Sequence, residues 1–409
     1  MKRSSLLSMA VGVLLASSLQ AAEPVAASAD PAARALLGGK PALSFRVRSE
    51  AVEDDAIARD ATALTLRTRL GWQSAPLAGF SLAVEMDDIR ALVDDYNSTN
   101  GGDATRPVVG DPEGTEVNVA ALNWAEGAHS GSLGRQRITF DNHRFVGNVG
   151  WRQNEQTYDA ASFRTKSLPN TELAYAYVQN VNRVFGPRDG GTQAANWHGD
   201  THLFNGRIAA GAAGTVSVFA YLMEFDNAQA QSNATYGALW TGSVPVAADW
   251  KVPFVVSYAT QEDHGDNPVA YSADYWQLET GLAYKAVAFK VGRETLGGDA
   301  ARAGRAFRTP LATLHAWNGW ADKFLTTPAQ GLEDTYVGVT AKVSGVDVQA
   351  WWHDYSAEAA ARDYGTEFNL SAGYKFANRY EVLLKLADYR ADGFAADTRK
   401  YWLQFAASF

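Results

Sequence analysis

Between Thr398 and Phe409 apolar residues recur at every second position: Tyr401, Leu403, Phe405, Ala407 and Phe409 alternate with Lys400, Trp402, Gln404, Ala406 and Ser408. A period of two with one apolar face describes a strand whose two sides meet different surroundings. In an open sheet, such a strand leaves a row of unpaired peptide groups beside exposed aromatic rings, which invites aggregation. Rolling the sheet into a barrel removes that edge.

The other end of the chain points to a compartment. Lys2 and Arg3 precede an apolar run over residues 6–16, and small residues with Ala21 and Ala22 follow before Glu23 and Pro24. That is the layout of a cleavable secretory leader, expected to cover residues 1–22. Residues 23–41, rich in Ala and Pro, read as a short periplasmic lead, and 42–409 as the barrel. Loss of Lys2 and Arg3 with the leader takes the formal charge from −9 to −11. The exported chain is acidic, and no nucleic-acid partner is expected. It has no cysteine, which excludes disulfides, thiol nucleophiles and thiolate metal sites. No later stretch offers eighteen apolar residues in a row, so no spanning helix is expected. With 12 Trp, 17 Tyr and 18 Phe under a negative mean hydropathy, a membrane face must be hidden in alternation.

Eighteen alternating segments can be marked, from 42–52 and 62–74 to 379–390 and 398–409; the fifth is 130–140 and the tenth 233–242. Segments 171–184 and 214–226 do not declare which parity is apolar. An even count places both ends of the barrel in the periplasm. Short joints such as 75–78, 168–170 and 344–345 alternate with longer ones such as 93–115, 141–156, 185–198 and 296–330. Such sorting belongs to membrane barrels, with short turns on one side and long loops on the other. The expected fold is all-β: a closed antiparallel transmembrane β-barrel of about eighteen strands, with long extracellular loops and short periplasmic turns.

Opposite Leu64, Leu66, Leu70 and Trp72 stand Thr65, Arg67 and Arg69, and Arg46 and Arg48 share a face of the preceding segment. Facing lipid, each arginine would cost about 2–4 kcal/mol near mid-bilayer, so they must face the lumen. Arg135 and Arg137 repeat the pattern, Arg144 and Arg152 follow in the next loop, and Lys290, Lys342, Lys375 and Lys385 add cations on other walls. Acids join them: Glu50, Glu85, Asp87, Glu279, Glu294, Asp347, Glu367 and Glu381. Two arrangements fit this composition. The charges brace the wall in pairs, or a local surplus of arginine attracts anions. Loops 141–156 and 296–330 mix cations with aromatics. Those loops either grip carbohydrate or fold inward as plugs.

In its order of motifs the chain resembles the alginate-export family of bacterial outer-membrane porins. The matching stretches are Leu66 to Trp72, Gly134 to Arg137, Asp141 to Gly147, Trp151 to Asn154, Asn180 to Arg183 and Thr313 to Phe324. The resemblance implies an eighteen-strand barrel with an arginine-rich, anion-selective lumen suited to uronate-type sugars. It carries Arg46, Arg48, Arg67, Arg69, Arg135, Arg137, Arg144 and Arg152 over as the basic positions; Lys290 and Glu294 complete the expected pore lining. The closing strand, ending on Phe409, also resembles the assembly signal read by the outer-membrane barrel-assembly machinery. Outer-membrane lipid and lipopolysaccharide are the expected surroundings.

A general small-solute porin without uronate selectivity is the alternative, a blocked scaffold a third reading and an outer-membrane hydrolase a fourth. The enzyme reading finds little to stand on: no zinc-type His pair on a helix and no Gly-x-Ser-x-Gly turn occur. His198 with His202 as metal ligands, or Asp141 with His143 orienting a nucleophile, are its remaining candidates. No cofactor, metal or catalytic set is expected.

Overall fold

The computed structural model describes residues 30–409. The expected leader and residues 23–29 lie outside the described residues. Alternation is realised as eighteen strands. The first six are β1 (Lys40–Asp54), β2 (Ala61–Gln73), β3 (Phe80–Asp95), β4 (Gly114–Glu126), β5 (His129–Gln136) and β6 (Thr157–Thr165). Then come β7 (Thr171–Asn182), β8 (Asn196–Ala209), β9 (Thr215–Met223), β10 (Asn233–Ala247), β11 (Trp250–Asp263) and β12 (Ser272–Tyr284). The last are β13 (Val287–Leu296), β14 (Leu332–Val343), β15 (Val346–Ser356), β16 (Asp363–Phe376), β17 (Tyr380–Ala391) and β18 (Thr398–Ser408).

Each strand pairs antiparallel with its sequence neighbours, and β18 returns to β1 from Ser44–Ser408 to Asp54–Thr398, so the sheet closes without an edge. Leu43 and Phe409 exchange both backbone hydrogen bonds at the seam. Short turns and long loops alternate around the barrel as expected. All eighteen expected segments overlap observed strands. Within the described part of the lead, Pro31–Leu37 forms a helix capped by Asp30, which accepts from Ala32 N at 2.9 Å. Ala75 N donates to Ala35 O at 3.0 Å, tying that helix to the first short turn.

The pleat sorts the side chains. Leu70, Leu82, Val84, Phe289, Leu403 and Phe405 project outward and exposed, whereas Thr65, Asp87, Gln277, Asn369 and Gln404 are buried inside. The interior is no open tube. Phe145, Phe307, Leu311, Trp320 and Phe324 from two long loops pack on Leu203, Tyr221, Tyr275, Tyr355 and Tyr389 of the wall in one apolar cluster. Each such side chain contributes about 1.5–3 kcal/mol when taken from water. The loops are therefore built into the lumen.

Candidate functional site

On β1, Arg46, Arg48 and Glu50 share the inward parity; on β2, Thr65, Arg67 and Arg69 do. Arg46 lies directly opposite Arg67 in the β1–β2 register. Facing them, residues 137–156 leave β5 and cross the lumen. Residues 297–331, between β13 and β14, meet them there. The segments are stitched by a Val146–Leu311 bridge and by Thr313 N donating to His143 O at 3.0 Å. Left-handed backbone at Asp141, His143 and Val149 tightens the entry, and Phe145 pins it against Phe219 at 4.8 Å and Tyr275 at 5.2 Å between ring centroids.

The wall arginines read the crossing backbone. Arg46 Nη1 donates to the carbonyl oxygens of Gly150, Trp151 and Arg152 at 3.2, 3.2 and 3.0 Å. Arg48 donates to Gln404 Oε1 at 3.1 and 2.7 Å and lies 4.0 Å over the Trp151 ring, with Asp111 at 3.6 Å. Arg67 donates to Gln153 O at 3.4 Å. Among the described residues no carboxylate lies within 4 Å of the Arg46 or Arg67 guanidinium. Like charges directly opposite each other across a ladder are destabilising. Neutral carbonyls leave that charge in place.

Other predicted positions are neutralised. Arg69 meets Asp87 at 2.6 Å, Glu155 at 2.8 Å and Glu85 at 3.1 Å, and Arg137 also binds Glu85 and Glu155. Glu85, Asp87 and Glu155 converge closely enough to hold a cation, but these two guanidinium groups already serve them. Burial would raise the Glu155 carboxyl; the Arg137 hydrogen bond and the Arg69 charge outweigh it and hold the group at about 2. Arg144 joins Glu294 at 2.7 Å, with Asn318 at 3.1 Å, and Arg152 joins Glu50 at 3.1 Å and Asp322 at 3.0 Å. Both arginines are buried. They anchor the loop to two separate strands, β13 and β1, and do not line open space, which differs from the pore-lining role expected of them. Lys290 pairs with Glu279 at 2.8 Å beside a cavity of about 510 Å³ on the β11–β17 side. A second cavity of about 470 Å³, lined by Arg137 and Arg164 among others, occupies the β2–β7 side.

Arg135 departs from expectation. Its register partners are Ala120, exposed on the outer face, and Asp159, which it binds at 2.7 Å. Neighbouring Gln136 is buried inside. Arg135 therefore lies on the outer face, whereas Arg137 enters the lumen because β5 ends at Gln136 and the backbone turns inward.

Sequence reasoning missed the hub at Asp322, which gathers His315 at 2.7 Å, Lys400 at 2.8 Å and Arg152. Burial alone would raise this carboxyl, but its contacts with His315, Lys400 and Arg152 hold it well below the ordinary carboxylate range. The inward parity of Lys385 and Lys400 was the available signal; Lys385 Nζ donates to His315 Nε2 at 2.7 Å. The histidine candidates separate. His198 faces Asp226 and His202 faces Tyr175, while Asp141 accepts from Asn205 and Ser217 and not from His143.

The sequence matches no family model and no curated protein, and no family model carries the alginate-export resemblance. Solved structures of similar fold include three from Pseudomonas aeruginosa. The outer membrane protein OpdK has a TM-score of 0.68 at 13% identity, over 90% of this chain and 99% of that chain. OpdK with vanillate has 0.69 at 14%, over 91% and 99%. OccD3 (OpdP) has 0.69 at 15%, over 91% and 92%. At these identities the likeness speaks for the fold, a closed antiparallel barrel of eighteen strands.

Proposed function

We propose that the chain is a non-enzymatic outer-membrane channel for small anionic solutes, sugar acids of the uronate type among them. One observation carries the reading. Arg46, half-buried, and Arg67, buried, are adjacent across the β1–β2 ladder under the crossing loop with only peptide carbonyls as hydrogen-bond partners, so no carboxylate within 4 Å cancels the field they set up in the lumen. The alternating outer face supports a membrane setting, and one structural neighbour is described as an outer membrane protein. The same protein was also solved with vanillate, a carboxylate. The loop-filled lumen favours single small solutes over a wide sieve. Purified protein in planar bilayers tests this. Replacing Arg46 and Arg67 by Gln lowers anion preference in the reversal potential; an unchanged potential contradicts the assignment.

A further inference from the structure

We propose that the 510 Å³ cavity on the β11–β17 side binds the ring of a pyranose acid, with Trp317 and Trp351 as its stacking faces. This rests on the channel reading above and names which carboxylates the channel takes. Trp351 has the inward parity of β15, and its register partner is Gly338 on β14. A Cβ at Gly338 would fall 2.0 to 2.5 Å from three atoms of the indole. The ring therefore lies flat on the wall over the glycine, offering its broad face to the lumen. Its Nε1 donates to Gln349 Oε1 at 3.0 Å, which fixes the rotation. Neighbouring Tyr336 sits over Gly292, its ring at 68° to the Trp351 indole. Trp317 comes from residues 297–331, between β13 and β14, and is backed by the Arg144 guanidinium of the crossing loop at 5.2 Å.

Polar groups stand beside these two indoles in the lining. Tyr336 OH donates to Glu279 at 3.1 Å, Lys290 pairs with the same carboxylate, and Gln277 Nε2 donates to Tyr336 OH at 3.0 Å. Gln277 is 3% exposed, and its Oε1, like Trp317 Nε1, has no hydrogen-bond partner among the described residues. A buried polar atom without a partner costs about 1–3 kcal/mol, so these atoms favour a guest that brings hydroxyls. A pyranose offers apolar C–H faces to indoles and hydroxyls around its edge, whereas an arene would stack but leave the polar groups unanswered. The volume lies within the roughly 300–1,000 Å³ of small-molecule sites. Trp151 borders the cavity and also lies under Arg48, at 4.0 Å. One indole thus stands between the ring site and the arginines of β1.

Single-channel recordings with glucuronate, with acyclic gluconate of the same charge and with benzoate test the site. Glucuronate is expected to interrupt the current at a concentration about tenfold lower than either comparison acid. Trp317→Ala with Trp351→Ala removes that advantage while the KCl reversal potential stays as in the unaltered protein. Gly338→Ala, which keeps both indoles but displaces Trp351 from the wall, lowers it too. Equal potency of glucuronate and gluconate in the unaltered channel, stronger interruption by benzoate, or full discrimination in the double tryptophan variant would overturn the proposal. Ring discrimination in a channel without anion preference would uphold this site and count against the arginine reading instead.

Discussion

Arg144 Nε lies 2.7 Å from Glu294 Oε1, and both side chains are 2% exposed. The pair fastens the loop that crosses the lumen to β13, far from the strand the loop leaves. Breaking a buried pair leaves an uncompensated charge in a dry site, at a cost of about 3–5 kcal/mol. Glu294→Gln should therefore loosen the crossing loop, seen as larger and noisier single-channel conductance with the barrel retained. Quiet recordings indistinguishable from the unaltered protein would show that the pair does not hold the loop.

Acid should act through Glu155. Its carboxyl is held at about 2, against an ordinary glutamate value near 4.5. A depressed carboxylate contributes stability that is complete above about 4.5 and is lost as pH falls towards about 2. The shift corresponds to about 3 kcal/mol for the loop's attachment. Current noise should rise over that window, and Glu155→Gln should be noisy already at neutral pH and flat below it. A variant that still titrates there would place the response elsewhere.

Arg135 provides a built-in control. Its pair with Asp159 lies on the outer face with both side chains partly exposed, so it is worth about 0.2–1 kcal/mol. Arg135→Gln should leave reversal potential and conductance unchanged, whereas Arg46→Gln shifts the potential. Equal shifts from both substitutions would mean that charge acts on permeation regardless of which face carries it.

Much of the barrel was legible because an outer face against hydrocarbon and an inner face against water impose a period of two. Leu64 to Trp72 against Thr65 to Arg69 is the plainest case. Parity failed in β7 and β9 for a physical reason. Ala174, Ala176, Val178, Phe219, Tyr221 and Met223 face inward and are apolar, because they receive Phe140 and Phe145 of the crossing loop. With both faces apolar, alternation carries no signal. Arg135 and Arg137 share a parity but part company, because regular pairing stops at Gln136. Gly134, at φ 113°, and a shifted register beside Asp159 already mark irregular backbone there. The anchoring roles of Arg144 and Arg152 depend on Glu294, Asp322 and Glu50, each distant in sequence. No local pattern announces such contacts.

Arg46 and Arg67, with no carboxylate within 4 Å among the described residues, are proposed to set the sign of the charge that passes. The reversal potential of the unaltered protein across a KCl gradient measures this directly. Chloride should permeate in preference to potassium, and the preference should weaken as salt rises and screens the arginines. A potential of the opposite sign, with potassium preferred, would contradict it.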